Sequence, residues 1–163
     1  EVSEIKSNII IEEDKSFFAF ADRFELVKQG TADLNNVQVI PSGNYIISSQ
    51  TLAGYFEKDT IGNIYLDATT DLELFAQIAE VLNITVRFAG EEPFDMFTRQ
   101  YNRNMKDILE AYGIEFVEIA RKEEQGEPIS ASRVRALLKQ KDFDAIAQLV
   151  PETTYKYLLD RFH

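Results

Sequence analysis

The chain has no cysteine and a single histidine in 163 residues, and that histidine is the last residue, His163. Without cysteine there is no disulfide, no thiolate metal site and no cysteine nucleophile. With histidine confined to the end, a mechanism that needs an internal imidazole cannot run on these residues. His163 reads as a frayed end or tag remnant rather than a catalytic base. No apolar run approaches the roughly 20 residues that span a bilayer, and nothing reads as a secretory leader. Basic residues are scarce, 17 Lys and Arg against 28 Asp and Glu, for a net charge of −11. A general nucleic-acid binder needs a basic face, so nucleic acid is not an expected partner. A local basic pocket for a nucleotide phosphate is compatible with that balance. The expectation is a cytoplasmic protein with no membrane partner.

What is present suits a globular core: 45% of residues are hydrophobic and 12% aromatic, in a chain of single-domain length. Asn8 to Glu12 is a short apolar run of buried-strand type. Phe17 to Gln29 repeats Phe17, Phe20, Phe24 and Val27 at helical spacing, with Gly30 as the stop. Asn36 to Ile40 is a second strand, and Tyr45 to Ile47 a further β-type run. Thr51 to Lys58 is a helix candidate weakened by Gly54, followed by a turn at Asp59 to Gly62 and a short run at Ile64 to Leu66. Thr70 to Leu82 predicts a helix with Leu72, Phe75, Ala76, Ala79 and Leu82 inward. Ile84 to Phe88 is a strand ending at Gly90. Thr98 to Tyr112 predicts a helix with Tyr101, Met105, Ile108, Leu109 and Tyr112 inward, stopped by Gly113. Ile114 to Ile119 is a strand, Arg121 to Glu127 a charged loop, Ser130 to Gln140 and Asp142 to Leu149 helices, and Pro151 opens a last helix through Arg161.

Strands alternating with helices predict an α/β domain with a mostly parallel sheet, and no repeat, low-complexity tract or linker divides it. Ligands of such sheets gather beyond the carboxyl ends of the strands. Three loops qualify: after Ile40, after Phe88 and before Ser130.

The last of these leads into Ile129-Ser130-Ala131-Ser132-Arg133-Val134-Arg135. A helix start offers unpaired N–H groups and the positive end of the macrodipole. Two hydroxyls and a guanidinium added there make a seat for a phosphate. At about 100° per residue Ser132 and Arg135 share one side of the helix, while Val134, Leu137 and Leu138 face the core. The same residues also read as ordinary helix chemistry: Ser130 as an N-cap, Ile129 and Val134 at hydrophobic-staple spacing. Capped helices far outnumber phosphate sites, so spacing alone favours the cap.

Other stretches carry the same two readings. Gly90-Glu91-Glu92-Pro93-Phe94 follows a strand, where Gly90 lets the backbone turn sharply or approach a ligand; otherwise it is a plain turn with two solvated acids. Thr98 suits a helix cap and Tyr101 a core position. Asp22, Arg23 and Lys28 suit solvated charge. Ser48, Ser49 and Thr51 suit capping or ligand contact.

The order of these stretches resembles one family over nearly the whole chain. Ile-Ser-Ala-Ser-x-Val-Arg looks like the C-terminal signature of the nucleotidylyltransferase superfamily. Ala21-Asp22-Arg23 with Leu26 through Leu34, Ser42 through Ser48, Tyr55-Phe56, Phe88 through Phe94, Tyr101-Asn102, Val117-Glu118-Ile119, Pro128 through Arg135 and Leu149-Val150-Pro151 together resemble the citrate lyase ligase family. The resemblance implies a Rossmann-like nucleotidylyltransferase fold, a mostly parallel sheet with helices on both faces, followed by C-terminal helices. It implies that residues 1–163 are one such domain. It implies use of ATP and Mg²⁺ to activate acetate as acetyl-AMP, and transfer of the acetyl group to the prosthetic-group thiol of the citrate lyase acyl carrier subunit. Carried over residue by residue, Ser130, Ser132 and Arg135 match the phosphate-binding signature, and Gly90 and Glu91 the loop flanking the nucleotide.

Two departures qualify that expectation. The superfamily's His-x-Gly-His-type motif is absent, and in the family it precedes the region where this chain begins. The family's acetyltransferase-like N-terminal domain is absent as well. The expectation is a domain lacking its first strand and that motif, inactive by itself, with its catalytic residues unassigned. Ser49 stands where the family often has arginine, so no ligand contact is assigned there. Two alternatives stay open. One is another small-metabolite adenylyl- or cytidylyltransferase, acting on phosphopantetheine or nicotinamide mononucleotide. The other is a catalytically dead module that binds a carrier protein.

Overall fold

The computed structural model describes residues 7–12, 16–48, 50–52 and 67–163. Ser49, nearly all of the helix expected over Thr51 to Lys58, the turn at Asp59 to Gly62 and the run at Ile64 to Leu66 lie outside the described residues. The described elements form a mixed α/β structure. In chain order they are β1 (Ser7–Ile11), α1 (Phe20–Gly30), β2 (Val37–Pro41), α2 (Thr69–Val81), β3 (Val86–Gly90), α3 (Met96–Ala111), β4 (Glu115–Ile119), β5 (Glu123–Glu124), β6 (Glu127–Pro128), α4 (Ala131–Gln140), α5 (Phe143–Ala147) and α6 (Glu152–Phe162). Among the described residues the strands pair two by two: β1 with β2, β3 with β4, and β5 with β6. The β3–β4 pair is parallel, with Val86 opposite Glu115 and Gly90 opposite Ile119. A parallel pair joined through an intervening helix is the α/β connection that the sequence predicted.

Contacts divide the chain into two compact units. One holds Pro41–Ala120 and Ile10–Phe20; the other holds Ala21–Ile40 and Arg121–His163 together with the described part of Glu1–Ile9. The first unit has the larger core, built from Ile46, Leu52, Ala68, Leu72, Phe75, Ala76, Ala79, Tyr101, Met105, Leu109 and Ile114. Leu72, Phe75, Ala76 and Ala79 are the inward stripe predicted for α2. Tyr101, Met105 and Leu109 are that of α3. Both predicted stripes run one residue too far: Leu82 is 45% and Tyr112 52% exposed. Each follows the last turn of its helix, where the chain leaves the 3.6-residue period.

The two helices stop in the same way. The N–H of Ile114 reaches the Leu109 carbonyl (3.0 Å) and that of Gly113 the Glu110 carbonyl (3.1 Å). Gly113 has φ +73°. This is a Schellman stop, placed where the sequence put the glycine. Asn83 (φ +53°) with Ile84 repeats it after α2, bonding Glu80 and Ala79. Each stop turns its helix directly into the following strand.

The second unit is built on α4, α5 and α6. Val134, Leu138, Phe143, Ile146, Leu149 and Leu158 are buried. Asp142 caps α5 through the Ala145 N–H (3.0 Å), and α5 ends at Ala147, shorter than the predicted span to Leu149. Arg161 on α6 ties back to Asp22 on α1 at 3.0 Å, so Asp22 is not the freely solvated charge that its helix position suggested. His163 packs its ring 5.4 Å from that of Phe143 and gives its N–H to Leu159; it is a held end, not a frayed one.

Two further expectations change. The first helix begins at Phe20; Phe17 and Phe18 lie before it, their rings edge to face at 4.9 Å. Its end involves no left-handed Gly30; the Thr31 hydroxyl donates to the Val27 carbonyl (2.8 Å) there. Tyr45 to Ile47 is bent backbone rather than a strand, since Ile47 lies at φ +48°. A β-branched residue in that region cannot continue an extended ladder.

Candidate functional site

The chain enters α4 through a hairpin hidden in the expected charged loop. Glu123 faces Pro128 and Glu124 faces Glu127, joined by Gln125 (φ +58°) and Gly126 (φ +76°). Two positive φ values in a two-residue loop make a type I′ turn, which fits the strand twist. The Ile129 N–H bonds the Lys122 carbonyl (2.8 Å), and Arg121 Nη1 donates to the Ile129 carbonyl (3.2 Å). These bonds fix the direction in which Ser130 meets the helix.

Ser130 is extended, at φ −143° and ψ 154°. Its Oγ accepts the Arg133 N–H at 3.1 Å, the N-cap predicted from its position. Ser132 Oγ lies 3.0 Å from Ser130 Oγ, and Ser132 is exposed while Ser130 is half-buried. The N–H groups of Ala131 and Ser132 have no hydrogen-bond partner among the described residues. The tip therefore carries two N–H donors without a partner among the described residues, beside two hydroxyls.

The arginines of α4 divide the work. Arg133 Nη1 donates to the carbonyls of Glu124 and Glu127, both at 3.1 Å, and Arg133 Nε lies 3.4 Å from the Glu127 carboxylate. It closes the hairpin onto the helix. Arg135 is half-buried and makes no hydrogen bond or ion pair among the described residues. It shares a helix side with Ser132. Ser130 and Ser132 are thus brought together at the start of α4, with Arg135 one turn beyond Ser132 on the same helix.

Gly90 and Glu91 belong to the other unit. Gly90 ends β3, and the Glu91 N–H extends the ladder by one bond to the Ile119 carbonyl (2.8 Å). Of the two expected reasons for glycine, a sharp turn is not the one met here: Gly90 has no left-handed φ. A Cβ there would meet nothing within 4 Å among the described residues. Of the two acids expected to be solvated, Glu92 instead organises the turn, its Oε1 accepting the N–H groups of Phe94 (3.0 Å) and Asp95 (3.1 Å). Arg99 donates to the carbonyls of Glu92 and Pro93. The cap of α3 is Asp95, which accepts from Phe97 and Thr98; Thr98 contributes its N–H rather than capping with its side chain.

Sequence reasoning missed Asp71. It is fully buried and accepts from the Ile47 N–H (2.5 Å), Thr51 Oγ1 (2.6 Å) and Tyr101 OH (2.6 Å). Arg87 Nη2 in turn donates to the Tyr101 oxygen at 3.3 Å, and its guanidinium lies over the Phe75 ring at 4.1 Å. Burial pushes the Tyr101 hydroxyl well above the usual tyrosine range; Arg87 opposes that shift and Asp71 adds to it. A signal was present: Asp71 shares the inward stripe of α2 with Phe75, four residues on, where an acid is out of place unless bonded. Ser48 and Thr51, read either as caps or ligand contacts, serve the loop. Ser48 Oγ accepts from the Gln50 and Thr51 N–H groups and donates to the Asn44 carbonyl.

The donor set at the α4 tip fits phosphate oxygens: hydroxyls, helix N–H groups and a guanidinium. No group of three His, Cys, Asp or Glu side chains that could hold a metal ion occurs among the described residues. A divalent ion there would be carried on the phosphates themselves, the usual state of magnesium with nucleotides. No helix among the described residues is long and apolar enough to cross a membrane.

Residues 3–158 match the sequence model of the citrate lyase ligase C-terminal domain. The chain is 43% identical over 155 residues to the citrate (pro-3S)-lyase ligase of Klebsiella pneumoniae, covering 92% of this chain and 45% of the relative. It is 45% identical over 157 residues to that of Escherichia coli, with 91% and 44% covered. For that of Haemophilus influenzae the identity is 40% over 155 residues, with 91% and 46% covered. The chain spans slightly under half the length of these relatives. It belongs to the citrate lyase ligase C-terminal domain family.

Proposed function

We propose that this chain is the nucleotide-handling part of an ATP-dependent acetate ligase that acts on the acyl carrier subunit of citrate lyase in the cytoplasm. On this reading residues 1–163 form one Rossmann-like nucleotidylyltransferase domain, with a mostly parallel sheet, helices on both faces and further C-terminal helices. The observation that carries it is the α4 tip. Two hydroxyls 3.0 Å apart, with two N–H groups and an arginine, Arg135, that have no partner among the described residues, stand at a helix start, and the relatives by name are ligases.

Ser130, Ser132 and Arg135 hold the β- and γ-phosphates of ATP, which enters with Mg²⁺. Gly90 and Glu91 flank the nucleotide. Each of these assignments rests on its own unit's geometry and on family membership. An acetate oxygen attacks the α-phosphorus, the bond to the β-phosphate bridging oxygen breaks, and pyrophosphate leaves with the electron pair. Holding that leaving group and neutralising its charge is where the protein lowers the barrier. The carrier thiolate then attacks the acetyl carbon and AMP departs, so no covalent intermediate on the protein is needed. Magnesium, when bound, supplies charge neutralisation on the phosphates.

The test is a substrate comparison with the full-length protein. Acetate-dependent release of AMP and pyrophosphate, with pantetheine phosphate inert as acceptor of an adenylyl group, is the expected result. Adenylyl transfer to pantetheine phosphate without acetate turnover contradicts it and points to a small-metabolite adenylyltransferase. Carrier binding with no nucleotide turnover of either kind points to a module that only docks.

A further inference from the structure

The pair Tyr101-Asn102 stands out in the sequence, yet neither residue lies at the α4 tip or in the loop assigned to the nucleotide. The structure gives both a use. They are adjacent on α3, about 100° apart around the helix, and grip different loops. Tyr101 donates to Asp71 (2.6 Å). Asp71 in turn holds the Ile47 N–H and the Thr51 hydroxyl of the loop that follows β2. Asn102 Nδ2 donates to the Gly90 carbonyl (3.0 Å) and to Glu118 Oε1 (2.8 Å), fixing the loop that follows β3. Both residues are 4% exposed. The loop held through Asp71 contains Ile47 at φ +48°. Backbone strain of that kind persists only where the surroundings over-determine it.

We propose that Tyr101 and Asn102 are positioning residues that set, from one helix, the shapes of the loops after β2 and β3, and that the second of these settings places the Gly90–Glu91 backbone for ATP. This deepens the nucleotide-site reading above and rests on it for its ligand. A purely architectural role would make the two residues interchangeable in effect: each loss would lower stability and change both loops alike. The bonds to the loops themselves are separate, since the link from Tyr101 toward β3 is the longer bond from Arg87 within the strand (3.3 Å), so the losses are separable at the loop amides.

The experiment uses the full-length protein with Tyr101→Phe and Asn102→Ala, read by amide hydrogen exchange at Ile47 and Glu91 and by the KM for ATP. Tyr101→Phe is expected to speed exchange at Ile47 and leave Glu91 as it was. Asn102→Ala is expected to speed exchange at Glu91, leave Ile47 as it was, and raise the KM for ATP by about three- to tenfold, the scale of a net hydrogen-bond contribution. Glu118→Ala, a change at an exposed residue that removes only one of the two Asn102 acceptors, gives a smaller rise in the same direction and serves if Asn102→Ala does not fold. Equal acceleration at both amides in both variants, or an unchanged KM for ATP in Asn102→Ala and Glu118→Ala with activity falling only as the folded fraction falls, overturns the proposal. If the unsubstituted protein does not use ATP, the functional reading fails by itself, and the exchange pattern still decides whether each residue sets its own loop.

Discussion

Arg133 and Arg135 are two residues apart on one helix and meet opposite fates. Arg133 is spent on the hairpin carbonyls and Glu127, whereas Arg135 has no partner among the described residues. Spacing placed Arg135 beside Ser132, but nothing in the sequence said that Arg133 was committed, because its partners belong to a hairpin too short to announce itself. Arg133→Ala should therefore cost stability, about 0.5–1.5 kcal/mol for hydrogen bonds lost at a partly exposed site, measurable by urea denaturation. Gly90 supports a sharper residue-scale prediction. Since a Cβ there has room and φ is not left-handed, Gly90→Ala should fold as stably as the parent to within about 0.5 kcal/mol. A loss of ATP affinity without loss of stability would place the ligand against that backbone. Tyr101 gives a pH dependence. Its folded pKa is raised, chiefly by burial, so the hydroxyl binds its proton more tightly in the fold than in the unfolded chain. That contribution is complete below the unfolded value near 10 and is lost as pH rises above it. Denaturation midpoints followed into alkali should fall more steeply for the parent than for Tyr101→Phe.

At the scale of elements, local chemistry was the most legible. Ser130 was readable as the cap of α4 and Gly113 as the stop of α3, because caps and stops depend on nearest neighbours. The turn at Ile47 was not, since its left-handed backbone depends on Asp71, 24 residues away. Cap and stop are both testable on α4. Ser130→Ala should destabilise by about 1 kcal/mol. Lys141 closes the helix in the left-handed region, at φ +57°, where a side chain costs about 1–2 kcal/mol. Lys141→Gly should therefore raise the melting temperature while Ser130→Ala lowers it. If both lower it, the left-handed stop is not a source of strain.

For the whole molecule, alternation of strands and helices was enough to read an α/β class, and a parallel β3–β4 pair bears it out. The pairing of the remaining strands was not readable, because partner choice lies in contacts far apart in sequence. The buried acid in the α2 stripe was overlooked for a related reason: its three donors come from the loop after β2 and from α3, both distant in sequence. The lack of cysteine and of an internal histidine still constrains the chemistry, leaving hydroxyls, backbone N–H groups, ammonium and guanidinium as the means of holding an anion. The acidic balance, net −11, makes an arginine without a partner among the described residues, beside two hydroxyls on α4, the more conspicuous.

The central claim is that the α4 tip seats nucleotide phosphates, and ATP affinity of the full-length protein with and without Arg135→Ala tests it most directly. A guanidinium bonded to phosphate contributes about 1.5–3 kcal/mol, so the account predicts a Kd for ATP roughly 10- to 100-fold weaker in the variant, with an unchanged melting temperature. An unchanged Kd would contradict it.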